Sequence, residues 1–183
     1  MKQPQASYRL LGVDPGTNIL GFAILEVSKS KLSVPELGVI RLQQFQDHHQ
    51  KLRHIHERLQ GIIRSFQPEV MAIEAPFFGK NVQSMLKLGR AQGVAIAAAI
   101  TMDLSVFEYA PRKIKQSVTG KGNATKEQVA AMLEQILQLR LDQHTLDATD
   151  ALAAALCHHY NQNSILGTGR RYKDWSDYVK NQK

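Results

Sequence analysis

The sequence lacks the features that mark secreted, membrane and disordered proteins. Its 183 residues include one cysteine, Cys157, so no disulfide can form within the chain. No charged-then-apolar leader opens the chain, and the longest apolar run, residues 93–100, is far shorter than the ~20 residues of a membrane-spanning helix. Apolar residues make up 43% of the chain, enough to bury a core, which excludes wholesale disorder. We therefore expect a folded, cytoplasmic protein.

Acidic residues are scarce beside basic ones. The chain has 16 Asp and Glu against 23 Lys and Arg, a net charge of +7. The segment from Ala75 to Lys126 has two acidic residues and carries +6 of this charge through eight basic ones: Lys80, Lys87, Arg90, Arg112, Lys113, Lys115, Lys121 and Lys126. Such a concentration is typical of proteins that bind a polyphosphate partner, although a solvated basic face would have the same composition.

The end of the chain differs from the rest. Residues 167–183 hold five basic and two acidic residues with little hydrophobic periodicity. We predict one folded domain over residues 1–166 and a basic tail over residues 167–183, which either solubilises the protein or contacts DNA loosely.

The hydrophobic pattern predicts one α/β domain. Three apolar runs with short connections indicate an antiparallel meander, over residues 8–13, 21–27 and 31–42. Helices and strands then alternate, with helices expected over 50–66, 81–100, 125–137 and 146–160 and strands over 70–73 and 104–107. Thr125 and Gln128 have the spacing of a capping box, and a basic loop is expected before them.

Four carboxylates occupy positions that suggest a metal site. Asp14 and Glu74 each end an apolar strand, and Asp147 and Asp150 share one face of the last helix. If the two strands are neighbours, all four carboxylates converge at one end of the sheet. Such a cluster needs cations to neutralise it, and oxygen ligands alone favour Mg²⁺ or Mn²⁺ over Zn²⁺. Two such ions can promote in-line displacement at a phosphodiester.

Each carboxylate also has a structural explanation. Asp14 precedes Pro-Gly and suits a turn, and Glu74 suits a strand end. Asp147 can oppose the helix dipole, and Asp150 can lie on a solvated helix face.

The motifs together resemble the RuvC family of Holliday-junction resolvases from about Leu10 to Tyr160. The resemblance is carried in order by Gly12-Val-Asp-Pro-Gly-Thr17, Gly21-Phe-Ala-Ile, Ile73-Glu74, Leu86-Lys-Leu-Gly89, Gly93-Val-Ala-Ile96, Glu108-Tyr-Ala110 and Asp147-Ala-Thr-Asp150-Ala-Leu-Ala153. It implies an RNase H-like fold, in which a three-strand antiparallel meander and two parallel strands form a five-stranded mixed sheet flanked by helices. It also implies a homodimer that makes paired, metal-dependent nicks on opposite strands of four-way junctions during DNA recombination and repair.

The resemblance also implies roles for particular residues and partners. The metal-binding carboxylates of the family fall on Asp14, Glu74, Asp147 and Asp150, which would hold Mg²⁺, two ions per active site, with Mn²⁺ able to substitute. Partners in bacteria would be the branch-migration motor proteins RuvA and RuvB.

The expected DNA-binding residues include an aromatic ring and several basic side chains. By resemblance, Phe77 lies at the junction crossover, where a ring can stack on an unstacked base. Phe77 could instead close the core, and the adjacent Phe78 could be the ring that faces DNA. By resemblance, Lys115 and Lys126 lie near the scissile phosphate. The wider DNA-binding set adds Lys80, Arg112, Lys113 and Lys121, of which the last three could be plain surface charge.

Gly89, Gly93 and Ala97 form a stripe of small residues on the long helix. The resemblance places the dimer interface there, and packing on the protein's own sheet is the alternative.

Other functions fit the sequence less well. Asp-x-Gly-Thr also opens the phosphate loop of actin-like ATPases and sugar kinases, but these need roughly twice this length and a second glycine-rich loop. A binder without catalysis gains nothing from four clustered acids. A relative that acts on RNA or on other branched DNA is an open alternative, because metal chemistry does not distinguish these substrates.

Overall fold

The computed structural model of the protein describes residues 7–29, 31–76, 81–141 and 146–166. The predicted tail, residues 167–183, therefore lies outside the described residues. The described chain forms ten elements, in the order β1 Tyr8–Asp14, β2 Ile19–Ser28, β3 Lys31–Arg41, α1 His48–Phe66, β4 Val70–Glu74, α2 Val82–Ile100, β5 Ser105–Tyr109, α3 Pro111–Thr119, α4 Lys126–Leu137 and α5 Leu146–Leu166. Among these helices, none combines the length and apolarity needed to cross a membrane.

The five strands form one mixed sheet in the order β3-β2-β1-β4-β5. The first three strands pair antiparallel, with Asp14 opposite Gly21. Strand β4 runs parallel to β1, and β5 runs parallel to β4. The predicted meander with two added parallel strands is confirmed. Because β1, β4 and β5 are parallel, all three end at one edge of the sheet, which we call the Asp14 edge.

Two helical layers cover the sheet. On one face, α1 contributes Ile55, Leu59, Ile62 and Ile63 to a core shared with an alanine-rich face of α2. This spacing of apolar residues is that of an amphipathic helix. Helices α3, α4 and α5 pack on the opposite face, in a second core. The sheet therefore separates α1 and α2 from α3, α4 and α5.

Helix α5 lies unusually close to the sheet because two glycines face it. A Cβ atom at Gly12 would lie 2.0 Å from the backbone oxygen of Ala151, and one at Gly21 would lie 1.9 Å from that of Asp147. No side chain of any size fits in that space. The glycines of β1 and β2 thus bring the first turns of α5 directly onto the strands beside the Asp14 edge.

One predicted loop is a helix. The segment expected to form a basic loop before α4 contains helix α3, which begins at Pro111 and ends at Thr119. Gly120 follows as its C-cap, with a φ of 76°. Only Ile114 and Val118 of α3 are buried, so its apolar pattern is too short to stand out from its charges. Other boundaries differ slightly, since α5 continues to Leu166. The predicted capping box of Thr125 and Gln128 is present at the start of α4.

Candidate active site

Three carboxylates meet at the Asp14 edge. Asp14 is the last residue of β1, whereas Asp147 and Asp150 lie in the first turns of α5, which the close contact with β1 and β2 holds over the same edge. One carboxylate oxygen of each residue lies within 4.8 Å of those of the other two. Glu74 ends the neighbouring strand β4 and stands outside this group, but it lines the same cavity as Asp14 and Asp150.

The cavity has a volume of about 310 Å³ and two kinds of wall. Its polar groups come from Asp14, Glu74, Asp150, Lys115 and Lys126. Its apolar wall draws on α2, α3, α4 and α5, through Leu88, Pro111, Ile114, Val129 and Ala153. An apolar wall beside clustered charges lowers the local dielectric and strengthens each electrostatic interaction in the cavity.

Two of the carboxyl groups resist ionisation. Burial, and then the negative charges of Glu74, Asp150 and Asp147, raise the pKa of Asp14 from 3.8 to about 8, although Lys126 opposes this. Burial, followed by the charge of Asp150, raises the pKa of Glu74 from 4.5 to about 7. Raised values of this kind mark a site that is built for added positive charge.

Two lysines supply part of that charge. Lys126 donates a hydrogen bond from Nζ to Oδ2 of Asp150. Burial lowers the pKa of Lys126, but this bond and the charges of the carboxylates outweigh it, so the pKa is raised overall. Lys115 lies close enough to Glu74 to lower the pKa of that carboxyl. Lys126 is also the first residue of α4, where free backbone N–H groups favour an anion such as a phosphate.

The donor set fits a hard divalent cation. All the candidate ligands are carboxylate oxygens, and no described residue that lines the cavity is His or Cys. Oxygen ligands of this type suit Mg²⁺ or Mn²⁺. Asp14, Asp147 and Asp150 could together hold one ion, and Glu74 stands where it could contribute to a second.

None of the remaining predicted site residues that the structure describes lines the cavity. Phe77 and Lys80 are outside the described residues. Arg112, Lys113 and Lys121 are exposed and do not line the cavity. Gly89 and Gly93 are exposed on α2, away from the sheet, while the sheet-facing positions of that helix are alanines such as Ala91 and Ala95.

Sequence reasoning missed the apolar wall of the cavity. Pro111 and Ile114 belong to α3, in the segment where the sequence predicts a loop. The available signals were the proline at the first helical position, the glycine after the last, and the four-residue spacing of Ile114 and Val118.

Comparison with known proteins identifies the family. The family described as crossover junction endodeoxyribonuclease RuvC matches residues 10–158. The chain belongs to the RuvC family. The RuvC of Cytophaga hutchinsonii is 53% identical over 171 residues, covering 93% of this chain and 84% of that protein. The RuvC of Bacteroides fragilis is 50% identical over 182 residues, covering 98% and 96%.

Solved structures agree with this assignment. A structure of Thermus thermophilus RuvC in complex with a Holliday junction substrate has a TM-score of 0.80 and 30% identity, covering 86% of this chain and 96% of that chain. The yeast mitochondrial resolvase Ydc2 has a TM-score of 0.63 at 12% identity, with coverage of 91% and 87%, and so shares the fold. The predicted RNase H-like architecture is confirmed, and the protein is a RuvC-type crossover junction endodeoxyribonuclease, which is a hydrolase.

Proposed function

We propose that this RuvC protein resolves four-way DNA junctions by paired, metal-dependent phosphodiester hydrolysis on opposite strands, during recombination and repair. The observation that carries the proposal is the meeting of Asp14, Asp147 and Asp150 at the Asp14 edge of a RuvC-family chain. The complex of the Thermus thermophilus relative with a Holliday junction substrate supports the choice of substrate.

Asp14, Glu74, Asp147 and Asp150 would hold two Mg²⁺ ions, for which Mn²⁺ could substitute. When bound, divalent ions activate the attacking water and stabilise the charge of the leaving oxygen. The raised pKa values of Asp14 and Glu74 favour this role, because these carboxyl groups are most readily ionised when a cation offsets their mutual repulsion.

Lys126 and Lys115 would position the scissile phosphate. Lys126 contacts Asp150 and Lys115 lies beside Glu74, so both ammonium groups stand at the rim of the carboxylate cluster. Hydrolysis forms a bond from a water oxygen to phosphorus and breaks the bond from phosphorus to the 3′ oxygen, which takes up a proton. A positive charge close to the phosphate offsets the negative charge that develops on its oxygens. Phe77 would stack on a base at the opened crossover.

Paired nicking needs two active sites, and α2 offers a surface for a second copy. We call this the α2 apolar surface, and its residues are Val82, Leu86, Gly89, Gly93 and Ala97. Val82 and Leu86 are 67% and 53% exposed. A Cβ at Gly89 or Gly93 would have no heavy atom within 4 Å, so a second helix could approach closely there.

The remaining proposals rest on family resemblance and composition. RuvA and RuvB would be the motor partners, and the protein would work in the cytoplasm. Residues 1–166 would form the nuclease domain, and the basic tail, residues 167–183, would follow it.

The decisive experiment compares a synthetic mobile four-way junction with a linear duplex of matched sequence. Each is incubated with the protein and Mg²⁺, with and without chelator, and the strand products are mapped. We expect symmetric nicks on the junction alone, abolished by the chelator. Asp14→Asn should bind the junction about as well as wild type and leave it uncut.

Two results would overturn the proposal in different ways. Tight junction binding without cutting in either Mg²⁺ or Mn²⁺ would indicate a non-catalytic binder. Equal cutting of junction and duplex would indicate a general nuclease. An Asp14→Asn protein that nicks at the normal rate would remove Asp14 from the mechanism.

A further inference from the structure

Helices α1 and α2 bring a second set of basic residues to the Asp14 edge. Strand β3, which precedes α1, ends at Arg41, and Arg41 pairs with Ile19 just after the turn that follows Asp14. Helix α2 follows the end of β4, and its Leu88 lines the carboxylate cavity. Both helices therefore begin at this edge, on the face of the sheet opposite α3, α4 and α5.

The basic side chains at this end of α1 and α2 lie close together. We call them the α1/α2 basic surface, which consists of His48, Lys51, Lys87 and Arg90. Burial lowers the pKa of His48, and nearby positive charges lower it further, namely those of Arg90, Lys87, His49 and Lys51. The positive charges of Lys51 on α1 and of Lys87 and Arg90 on α2 therefore all influence the same imidazole, that of His48.

These charges are poorly neutralised within the protein. Among the described residues, no salt bridge includes Lys51, Lys87 or Arg90. The nearby Asp47 is engaged as the N-cap of α1, where it accepts a hydrogen bond from the Gln50 backbone and contacts His49. Neither helix has an acidic residue in its first turn, so the positive ends of both helix dipoles add to the field.

Lys51 links this surface to the catalytic strand. Its Nζ donates to the backbone oxygen of Thr17 at 3.1 Å and to Oδ1 of Asn18 at 3.0 Å. The backbone of Asn18 is also fixed, because its backbone oxygen accepts a hydrogen bond from the backbone N–H of Leu42 at 2.8 Å. The ammonium group is therefore held against the turn that directly follows Asp14. An ammonium group has three N–H donors, so one more can serve a further acceptor.

We propose that the α1/α2 basic surface binds the sugar–phosphate backbone of the junction on the side of the Asp14 edge away from Lys115 and Lys126. The DNA would then span the edge and be held from both faces of the sheet. Phosphate is the fitting ligand because the surface offers clustered cations and helix N-termini beside a phosphodiester-cleaving site. The proposal rests on the proposed function only in that the substrate is DNA.

The test measures how junction affinity depends on salt, in chelator so that no cutting occurs. Removing one phosphate contact should reduce the slope of log affinity against log salt by about 0.9. We expect the K51Q/K87Q variant to bind more weakly and to show a slope shallower by about 0.9 per lysine and protomer. The charge-preserving variant K51R/K87R should retain most of the wild-type slope.

The matched control removes two charges elsewhere on α1. Arg58 and Arg64 are exposed and lie in the second half of that helix, away from its start at the Asp14 edge. R58Q/R64Q should leave the slope at the wild-type value. Equal slopes for K51Q/K87Q, R58Q/R64Q and wild type would overturn the proposal. Equal reduction by both variants would do the same, since it would report net charge alone.

The single variant K87Q tests the proposal without the risk that a double substitution disturbs the fold. Lys87 is exposed and forms no salt bridge with any residue that the structure describes, so K87Q should melt like wild type. Its salt slope should still fall by the amount expected for one phosphate. Failure of the proposed function would look different. In that case wild-type protein itself would fail to prefer or cut the junction, whereas failure of this inference leaves wild-type cutting intact and the slopes unchanged.

Discussion

At Asp14 the protein keeps a carboxyl group where burial and three neighbouring acids oppose its charge. The same arrangement that prepares the site for a cation must therefore weaken the metal-free fold. Folding transfers Asp14 from water, where its pKa is 3.8, to a site where its pKa is about 8. Between these two values the unfolded chain is ionised and the folded chain resists ionisation, so metal-free stability falls as pH rises through this window.

Asp14→Asn should accordingly stabilise the metal-free protein. A shift of one pKa unit corresponds to about 1.4 kcal/mol, and relaxation of the neighbouring carboxylates reduces the total. We expect a gain in the free energy of unfolding of about 2 kcal/mol at pH 8, falling to about zero near pH 4. Thermal melts in chelator across this range give the comparison.

Asp103→Asn is the control, because Asp103 is exposed and lies between α2 and β5. Its melting temperature should follow that of wild type at every pH. Saturating Mg²⁺ should reverse the order of Asp14→Asn and wild type, since only the intact site gains binding energy. If Asp14→Asn melts at or below the wild-type temperature at pH 8 without metal, Asp14 does not destabilise the metal-free fold as we infer.

Lys115 allows a separate test of phosphate contact on the other side of the site. Lys115→Gln should weaken binding to junctions of every sequence alike and reduce the salt slope by about 0.9 for each phosphate that it no longer neutralises. Lys31→Gln should leave both unchanged, because Lys31 opens β3 at the opposite end of the sheet. Weaker binding confined to one junction sequence would mean that Lys115 reads bases instead.

The sequence predicted that four carboxylates converge at one end of the sheet, and three of them lie together in the structure. Asp14, Asp147 and Asp150 come together because α5 lies directly on β1 and β2 beside the end of β1, an arrangement that the strand-end and helix-face positions already suggested. Glu74 was expected in the same cluster but stands outside the group within 4.8 Å. That offset depends on strand register and side-chain direction, which no periodicity reveals.

At the scale of elements, the contact between α5 and the first two strands sets the geometry of the site. Gly21 faces the backbone oxygen of Asp147 at a distance where a Cβ would lie 1.9 Å away. Gly21→Ala must therefore push α5 off the strand. We expect a loss of about 1–3 kcal/mol, or roughly 2–4 °C in melting temperature per kcal/mol, with weaker metal binding because Asp147 moves.

Gly61→Ala is the matched substitution with the opposite expectation. Gly61 lies inside α1, and a Cβ there would have no heavy atom within 4 Å. Alanine in a helix interior is favoured over glycine by about 0.5–1 kcal/mol, so this variant should melt higher than wild type. The metal affinity, measured by titration calorimetry, should be unchanged in Gly61→Ala and weakened in Gly21→Ala. Equal effects of the two substitutions would contradict the close contact of α5.

The elements themselves were predictable to the extent that they bury a long apolar face. Helix α1 buries four residues at regular spacing and was expected, whereas α3 buries only Ile114 and Val118 among three basic residues and was not. Short helices gain little from their own propensity and depend on tertiary contacts. The packing of α3 on α5, in the second core, supplies such contacts and is invisible in a local sequence window.

For the whole molecule, we propose that two copies, and with them two active sites, pair through the α2 apolar surface. Apolar residues as exposed as Val82 and Leu86 are costly to leave in water, and both lie on the same side of α2 as Gly89. If two copies meet there, each glycine lets the facing helix approach more closely than any larger residue would. A leucine at Gly89 would fill that space and hold the two copies apart.

Gly89→Leu should therefore convert the protein to a monomer at concentrations where wild type is a dimer, as measured by sedimentation equilibrium. The monomer should keep its fold, because a side chain at Gly89 meets no atom within 4 Å in its own protomer. Gly61→Leu, the same change at an open position of α1, should leave the dimer intact. On a junction, a monomer that retains the carboxylate site should lose the symmetry of the paired nicks, since the two cuts would become independent events. A stable Gly89→Leu dimer would place the interface elsewhere on the molecule.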